Sequence, residues 1–201
     1  MGRKKVSGND RARLVLAQEA ARIIAEQGIA DFRQAKTKAA ERLGMRDRGS
    51  LPGNAEIDRA LGEHLLLFGR ESHVDLLVLL RRAALSAMEI LAPFTPRLVG
   101  PVLHGTAASN SSVSLHVFAD HAELVGERLQ QHKVSYRSCE TRLKSRRDRI
   151  ASFAGYRFVQ EDAEIEATVF PVDGLRQAPI SPIDGKPMKR ADARAVEELL
   201  K

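Results

Sequence analysis

Between Ser111 and His116 the chain reads Ser-Ser-Val-Ser-Leu-His, small polar residues alternating with apolar ones. On a strand, where successive side chains point to opposite faces, Ser112, Ser114 and His116 share one face and Val113, Leu115 and Val117 the other. Just upstream, Val102-Leu-His-Gly105-Thr106 sets a glycine at the end of an apolar run. A glycine there lets the backbone approach a ligand closely, so that the main-chain N–H groups of Gly105 and Thr106 can face a phosphate; it also serves as an ordinary strand-to-strand turn. Further on, Ala163-Glu-Ile-Glu-Ala-Thr168 alternates in the same way and turns Glu164, Glu166 and Thr168 away from Ile165, Ala167 and Val169. Hydroxyls, an imidazole and a carboxylate make a polar pocket in which His116 and Glu166 are the titratable members. For the glutamates, a strand side facing solvent explains the alternation equally well.

Other constellations are weaker. His104, His116 and His121 are close in sequence, but their spacing matches no helix-based zinc motif, and scattered structural or exposed histidines explain them better. Cys139, the only cysteine, would need a positioned base to act as a nucleophile, and the sequence identifies none. Being alone, it also excludes an intrachain disulfide and a cysteine-cluster metal site. The segment Ser181-Pro-Ile-Asp-Gly-Lys-Pro-Met-Lys-Arg190 joins rigid turns to Lys186, Lys189 and Arg190 near a helix start, where basic groups can neutralise a phosphate or simply dock a surface loop.

The elements that must position these residues can be read from periodicity. Leu14, Ala17, Ala21 and Ile24 recur at helical spacing over residues 11–27, with Gly28 as the stop. Asp31 caps a second helix marked by Phe32, Ala35, Ala39 and Leu43, whose other side carries Arg33, Lys36, Lys38 and Arg42. An exposed loop over residues 45–53 leads to a third helix, capped by Asn54, with Ile57, Leu61, Leu65 and Phe68 on one face and Gly69 closing it. Ser72-His-Val-Asp75 has the form of a capping box opening a fourth helix to about Leu91, apolar on most sides and so expected to be the most buried. Pro93 and Pro96 end it. Strands follow over 98–103 and 113–118, then a helix opened by the capping box Asp120-His-Ala-Glu123, then strands over 134–143, 153–160 and 163–170, the last two joined by a tight hairpin at 160–162. A turn-rich stretch over 171–187 and a helix over 190–200 complete the chain. The order predicts an α+β protein: a basic, disordered tail over 1–10, a helical bundle over 11–95, and a mixed α/β sheet unit over 96–201 that the most apolar helix contacts.

Across roughly residues 97–120, with the later strands in fitting order but not over the N-terminal helices, this layout resembles the polymerase-beta-like nucleotidyltransferase superfamily. Members carry Gly-Ser or Gly-Gly at the end of a first strand, and then a second strand with two carboxylates spaced acid-apolar-acid that bind magnesium bridging a triphosphate. Gly105-Thr106 stands in the Gly-Ser position, and Ser112 and Ser114 stand at the two acidic positions. The best candidate for the source of the third acid is the strand Ala163–Thr168, with Glu164 or Glu166, of which Glu166 is placed in the pocket. Neutral hydroxyls are poor magnesium anchors, because this hard cation favours charged oxygens. The resemblance therefore implies a divergent, catalytically weakened member. It would bind a nucleotide or other phosphorylated ligand at Gly105, Thr106, Ser112 and Ser114, with His116 and Glu166 nearby and magnesium arriving, if at all, with the nucleotide. It names no catalytic residue and leaves nucleotidyl transfer open.

Composition bounds the alternatives. The chain has 201 residues, a hydrophobic fraction of 43% that can support a core, and aromatics at 4% with no Trp, which argues against a stacking platform for single-stranded nucleic acid. The net charge of +6 is uneven: residues 1–50 hold 12 Lys+Arg against 6 Asp+Glu, and the remainder is balanced. That excess, with the cluster Arg137, Arg142, Lys144, Arg146, Arg147 and Arg149, supports a second reading, a non-enzymatic module that binds nucleic acid or an acidic protein through a basic surface. A third, a scaffold whose helical half pairs with a partner protein, has no specific support. No signal-peptide pattern opens the chain and the longest apolar run, Leu76–Leu80, is far too short for a membrane span, so a cytoplasmic protein is expected.

Overall fold

A computed structural model describes residues 8–29, 31–45, 51–68, 70–144 and 149–201. The first seven residues of the expected tail, most of the 45–53 loop, Gly69, Arg146 and Arg147 lie outside the described residues. The described chain is α+β and divides into two compact units, Met1–His73 with Ala108–Asn110, and Val74–Ala107 with Ser111–Lys201.

The first unit is built on α1 (Gly8–Gln27), α2 (Phe32–Arg42) and α3 (Asn54–Phe68). Its core is small-residue packing: Leu16, Ala17, Ala20, Ala21, Ile23 and Ile24 of α1 meet Ala35, Ala39 and Ala40 of α2 and Ile57, Ala60 and Leu61 of α3. The stripe on α1 is rotated from the expected one. Leu14 is 56% exposed, and the buried rows are 16–20–23 and 17–21–24. Two adjacent rows bury a wider face than one row extended upstream, which is why Leu14 falls outside. Asp31 caps α2 as expected, its carboxylate accepting the Arg33 N–H at 2.7 Å. In α3 the helix begins at Asn54 itself, after Gly53. The Glu56 carboxylate reaches back to the Gly53 N–H at 2.7 Å and also receives the Arg13 guanidinium at 2.7 and 2.9 Å.

The second unit takes α4 (Arg70–Ile90) from Val74 onward. α4 starts two residues before Ser72, so the expected capping box sits inside its first turn. It is amphipathic rather than apolar all round: Leu77, Leu80, Ala84, Ala87 and Met88 are buried, whereas Val74 and Leu79 are each 47% exposed. The division between units thus falls within the first turn or so of the helix that the sequence places in the N-terminal bundle, because the buried stripe of α4 packs into the core of the sheet.

The sheet has the order β1-β2-β5-β4-β3, with β1 (Arg97–Val99), β2 (Val113–Phe118), β3 (Tyr136–Lys144), β4 (Ile150–Gln160) and β5 (Ala163–Phe170). β2 and β5 run parallel, and the other neighbours are antiparallel. One face is the core: Val113, Leu115 and Val117 of β2, Ile165, Ala167 and Val169 of β5, and Tyr156 and Phe158 of β4 join α4, and Val125 and Leu129 of α6 (Glu123–Gln131). The expected strand over 98–103 stops at Val99. Gly100 adopts φ +73°, a left-handed value that glycine tolerates, and Pro101 then starts the five-residue helix α5 (Gly100–His104). The α6 capping box also fails. The helix is entered through Ala122, with no side-chain cap, leaving Asp120 exposed upstream. The last helix, α7 (Ala193–Glu198), is capped by Asp192, whose carboxylate accepts the Ala195 N–H at 2.9 Å. Among the described residues no helix is long and apolar enough to cross a membrane.

Candidate functional site

The alternation on β2 sets the site. With Val113, Leu115 and Val117 wholly buried on the core side, Ser114, His116 and Phe118 stand on the opposite face, and half-buried Ser112 immediately precedes the strand. Strand register fixes their neighbours on that face. Across β1, Val99 pairs with Ser114 and Arg97 with His116. Across β5, Ser114 pairs with Glu166, His116 with Thr168 and Phe118 with Phe170. One strand further, Arg157 of β4 pairs with Glu166 and Gly155 with Thr168. The fold therefore brings together Ser114, His116 and Glu166 of the expected set, and adds Arg97, Arg157 and Thr168.

His116 is 3% exposed. Its Nδ1 accepts the Nε–H of Arg190 at 3.1 Å, and its ring lies 4.5 Å from that of Phe170. Burial, reinforced by the Arg190 charge, lowers its pKa to about 3. The imidazole is therefore neutral at pH 7, with its proton on Nε2 because Nδ1 is the acceptor. Arg190 crosses over the face. Its Nη1 donates to the carbonyls of Gly174 (2.9 Å) and Leu175 (3.2 Å), and the guanidinium lies 5.0 Å above the ring of Phe118 and 5.2 Å above that of Phe170. Its Nη2 is buried with no acceptor among the described residues. Burial, and then the charge of Arg97, lower the Arg190 pKa from its usual value. The backbone delivers this side chain: Ala191 and Leu98 exchange N–H···O bonds of 2.8 and 2.9 Å, so the segment ending in Arg190 runs along the outer edge of β1.

Glu166 does not point into an open pocket. One oxygen accepts from the Thr141 hydroxyl at 2.9 Å; the other takes a fork from Arg157, 3.1 Å to Nε and 2.9 Å to Nη2. Cys139, on β3 beyond β4, has its thiol pKa pushed up by burial and then by the Glu166 charge, which keeps it a thiol rather than a nucleophilic thiolate.

Gly105 and Thr106 are placed differently from the expectation. The glycine that ends β1 is Gly100, and the spot a side chain would occupy there lies 3.7 Å from Ser114 Oγ. Gly105 caps α5 in the left-handed region and looks toward Arg81 and Leu77 of α4. The N–H groups of Gly105 and Thr106 both donate to the Pro101 carbonyl, so neither is turned to a ligand. Periodicity could not show this, because it depends on Gly100-Pro101 turning the chain into a helix.

The donor set does not fit magnesium. Ser112 and Ser114 offer neutral oxygens, the carboxylate of Glu166 is engaged by Arg157 and Thr141, and two further cations, Arg97 and Arg190, flank His116. Among the described residues no group of three or more His, Cys, Asp and Glu side chains is placed to hold a metal ion; His104 and His121 are exposed and His116 is engaged by Arg190. Comparison with protein-family models, with curated proteins and with solved structures finds no match.

The basic residues of the alternative surface are partly engaged. Arg42 pairs with Glu19 at 3.2 Å, Lys38 donates to Gln27 at 3.4 Å, and burial lowers the Lys36 pKa. On β3, Arg142 lies 3.7 Å from Glu140, while Arg137 and Arg149 are exposed.

Proposed function

We propose that this protein is a divergent, non-catalytic relative of the polymerase-beta-like nucleotidyltransferases that binds a nucleotide or other phosphorylated ligand on the polar face of its sheet. The reading rests above all on register. Ser114 and Glu166 lie side by side on adjacent parallel strands, with Gly100 rather than Gly105 beside Ser114 at the end of the first strand; the resemblance is what assigns Ser112 and Ser114 to the positions of the two acids. In the resemblance those acids hold the metal ions for group transfer. Hydroxyls in their place keep hydrogen-bonding capacity for phosphate oxygens and lose the charge that anchors a hard cation.

Isothermal titration of the full chain with nucleoside triphosphates, with and without magnesium, tests this. Binding is expected, with affinity falling tenfold or more in Ser114→Leu, a variant whose fold is checked by circular dichroism. No nucleotidyl transfer is expected from a labelled triphosphate. Absence of heat with every nucleoside triphosphate would sink the reading.

A further inference from the structure

Two positive charges on this face, Arg97 and Arg190, have no carboxylate partner among the described residues. Arg190 is held by two carbonyls, an imidazole nitrogen and two aromatic rings, and no carboxylate pairs with it among the described residues. Arg97 stands opposite His116 on the same face, and its Nη1 bonds to the adjacent Pro96 carbonyl at 3.1 Å. Two guanidiniums that repel each other, one of them with a buried nitrogen lacking an acceptor, are costly unless an anion joins them. Of the two glutamates on this side of β5, Glu166 is already matched by Arg157, and Glu164 also acts on Arg157. A face built to hold metal ions would show the opposite balance, carboxylates in excess and cations brought from outside.

Resting on the reading above, we infer that Arg97 and Arg190 do the charge work of a divalent cation here, so that the sheet face binds the oxyanion of a phosphate or phosphoanhydride group directly, without a metal ion. An oxyanion between the guanidiniums gives Arg190 Nη2 its acceptor and relieves the repulsion, and charge-assisted donors of this kind suit phosphate oxygens. The Ser114 hydroxyl adds a neutral donor on the same face. Neutral His116 fixes the orientation of Arg190 by accepting its Nε–H.

The test is isothermal titration of the full chain with inorganic phosphate, pyrophosphate and ATP, each in EDTA and in excess magnesium. Pyrophosphate and ATP should bind in EDTA at least as tightly as in magnesium, and R97M and R190M should each weaken binding tenfold or more. R190M also removes the bonds to Gly174 and Leu175. If its melting curve shows loss of fold, R97M decides, since among the described residues the Arg97 side chain hydrogen-bonds only to its chain neighbour. ATP binding that requires magnesium would overturn the inference and leave the reading of the site standing. Equal affinity in folded R97M would overturn it too, by placing the anion elsewhere. Binding of phosphate and pyrophosphate with no gain for ATP would uphold the inference and remove the nucleotide from the reading. No heat with any of the three would end both.

Discussion

His116 is a titratable group that the fold keeps uncharged. Its ordinary pKa of 6.5 falls to about 3 in the native protein, so below pH 6.5 the unfolded chain takes up a proton that the folded one refuses. The stabilising contribution is therefore complete above pH 6.5 and is lost progressively as pH falls toward 3. In His116→Asn the amide oxygen can still accept from Arg190, but nothing titrates. Urea midpoints measured from pH 7 down to 4.5 should fall less steeply in this variant than in the wild type. At this scale the sequence is legible where period-two alternation governs: the shared face of Ser114 and His116, and the alternation that carries Glu166 on a later strand. Arg97, Arg157 and Arg190 escaped because register and the return of a distant segment place them, and neither leaves a local pattern. The charge of the segment ending in Arg190 is plain in the sequence, but the strand it approaches is not.

Among the elements, the β4–β5 connection is a two-residue turn in which Glu161 and Asp162 both have positive φ, 48° and 62°. Such turns match the twist of a hairpin but strain any residue with a side chain. Asp162→Gly should raise stability by about 0.5–1 kcal/mol in urea unfolding. The middle of β4 has the opposite sensitivity. A Cβ at Gly155 would lie 2.9 Å from the Ala167 carbonyl and 3.1 Å from the Cys139 sulfur, so Gly155→Ala should cost about 1–3 kcal/mol in the same assay. The hairpin was readable in advance from its flanking strands. The early end of β1 was harder to read: the apolar run Leu98–Leu103 is long enough for a strand, and only the left-handed Gly100 followed by Pro101 breaks it. The starts of α4 and α6 show the same limit. A sequence with the form of a capping box does not cap unless the chain enters the helix there.

For the whole molecule, the separation into helices first and a mixed sheet afterwards followed from the change of periodicity near Pro93–Pro96, whereas the assignment of α4 to the sheet depended on which core its stripe joins. The net charge of +6 also acts at this scale. A gel shift with duplex DNA at low salt should show a weak complex without sequence preference that is gone by about 200 mM salt, as counter-ion release dictates. A complex that persists at that salt would favour the basic-surface reading over the phosphate site. The strand order has a kinetic meaning as well. β2 meets β5 in parallel only after the chain has travelled through α6, β3 and β4, whereas β3, β4 and β5 join as successive neighbours. Because distant pairings bear the larger entropy of loop closure, the three-strand meander should assemble early and the seam to β2 should be sewn last. In stopped-flow chevrons Asp162→Gly should then quicken refolding, while Leu115→Ala should act mainly by hastening unfolding. The face on which Ser114 and Glu166 stand together would come into being at the final step of folding.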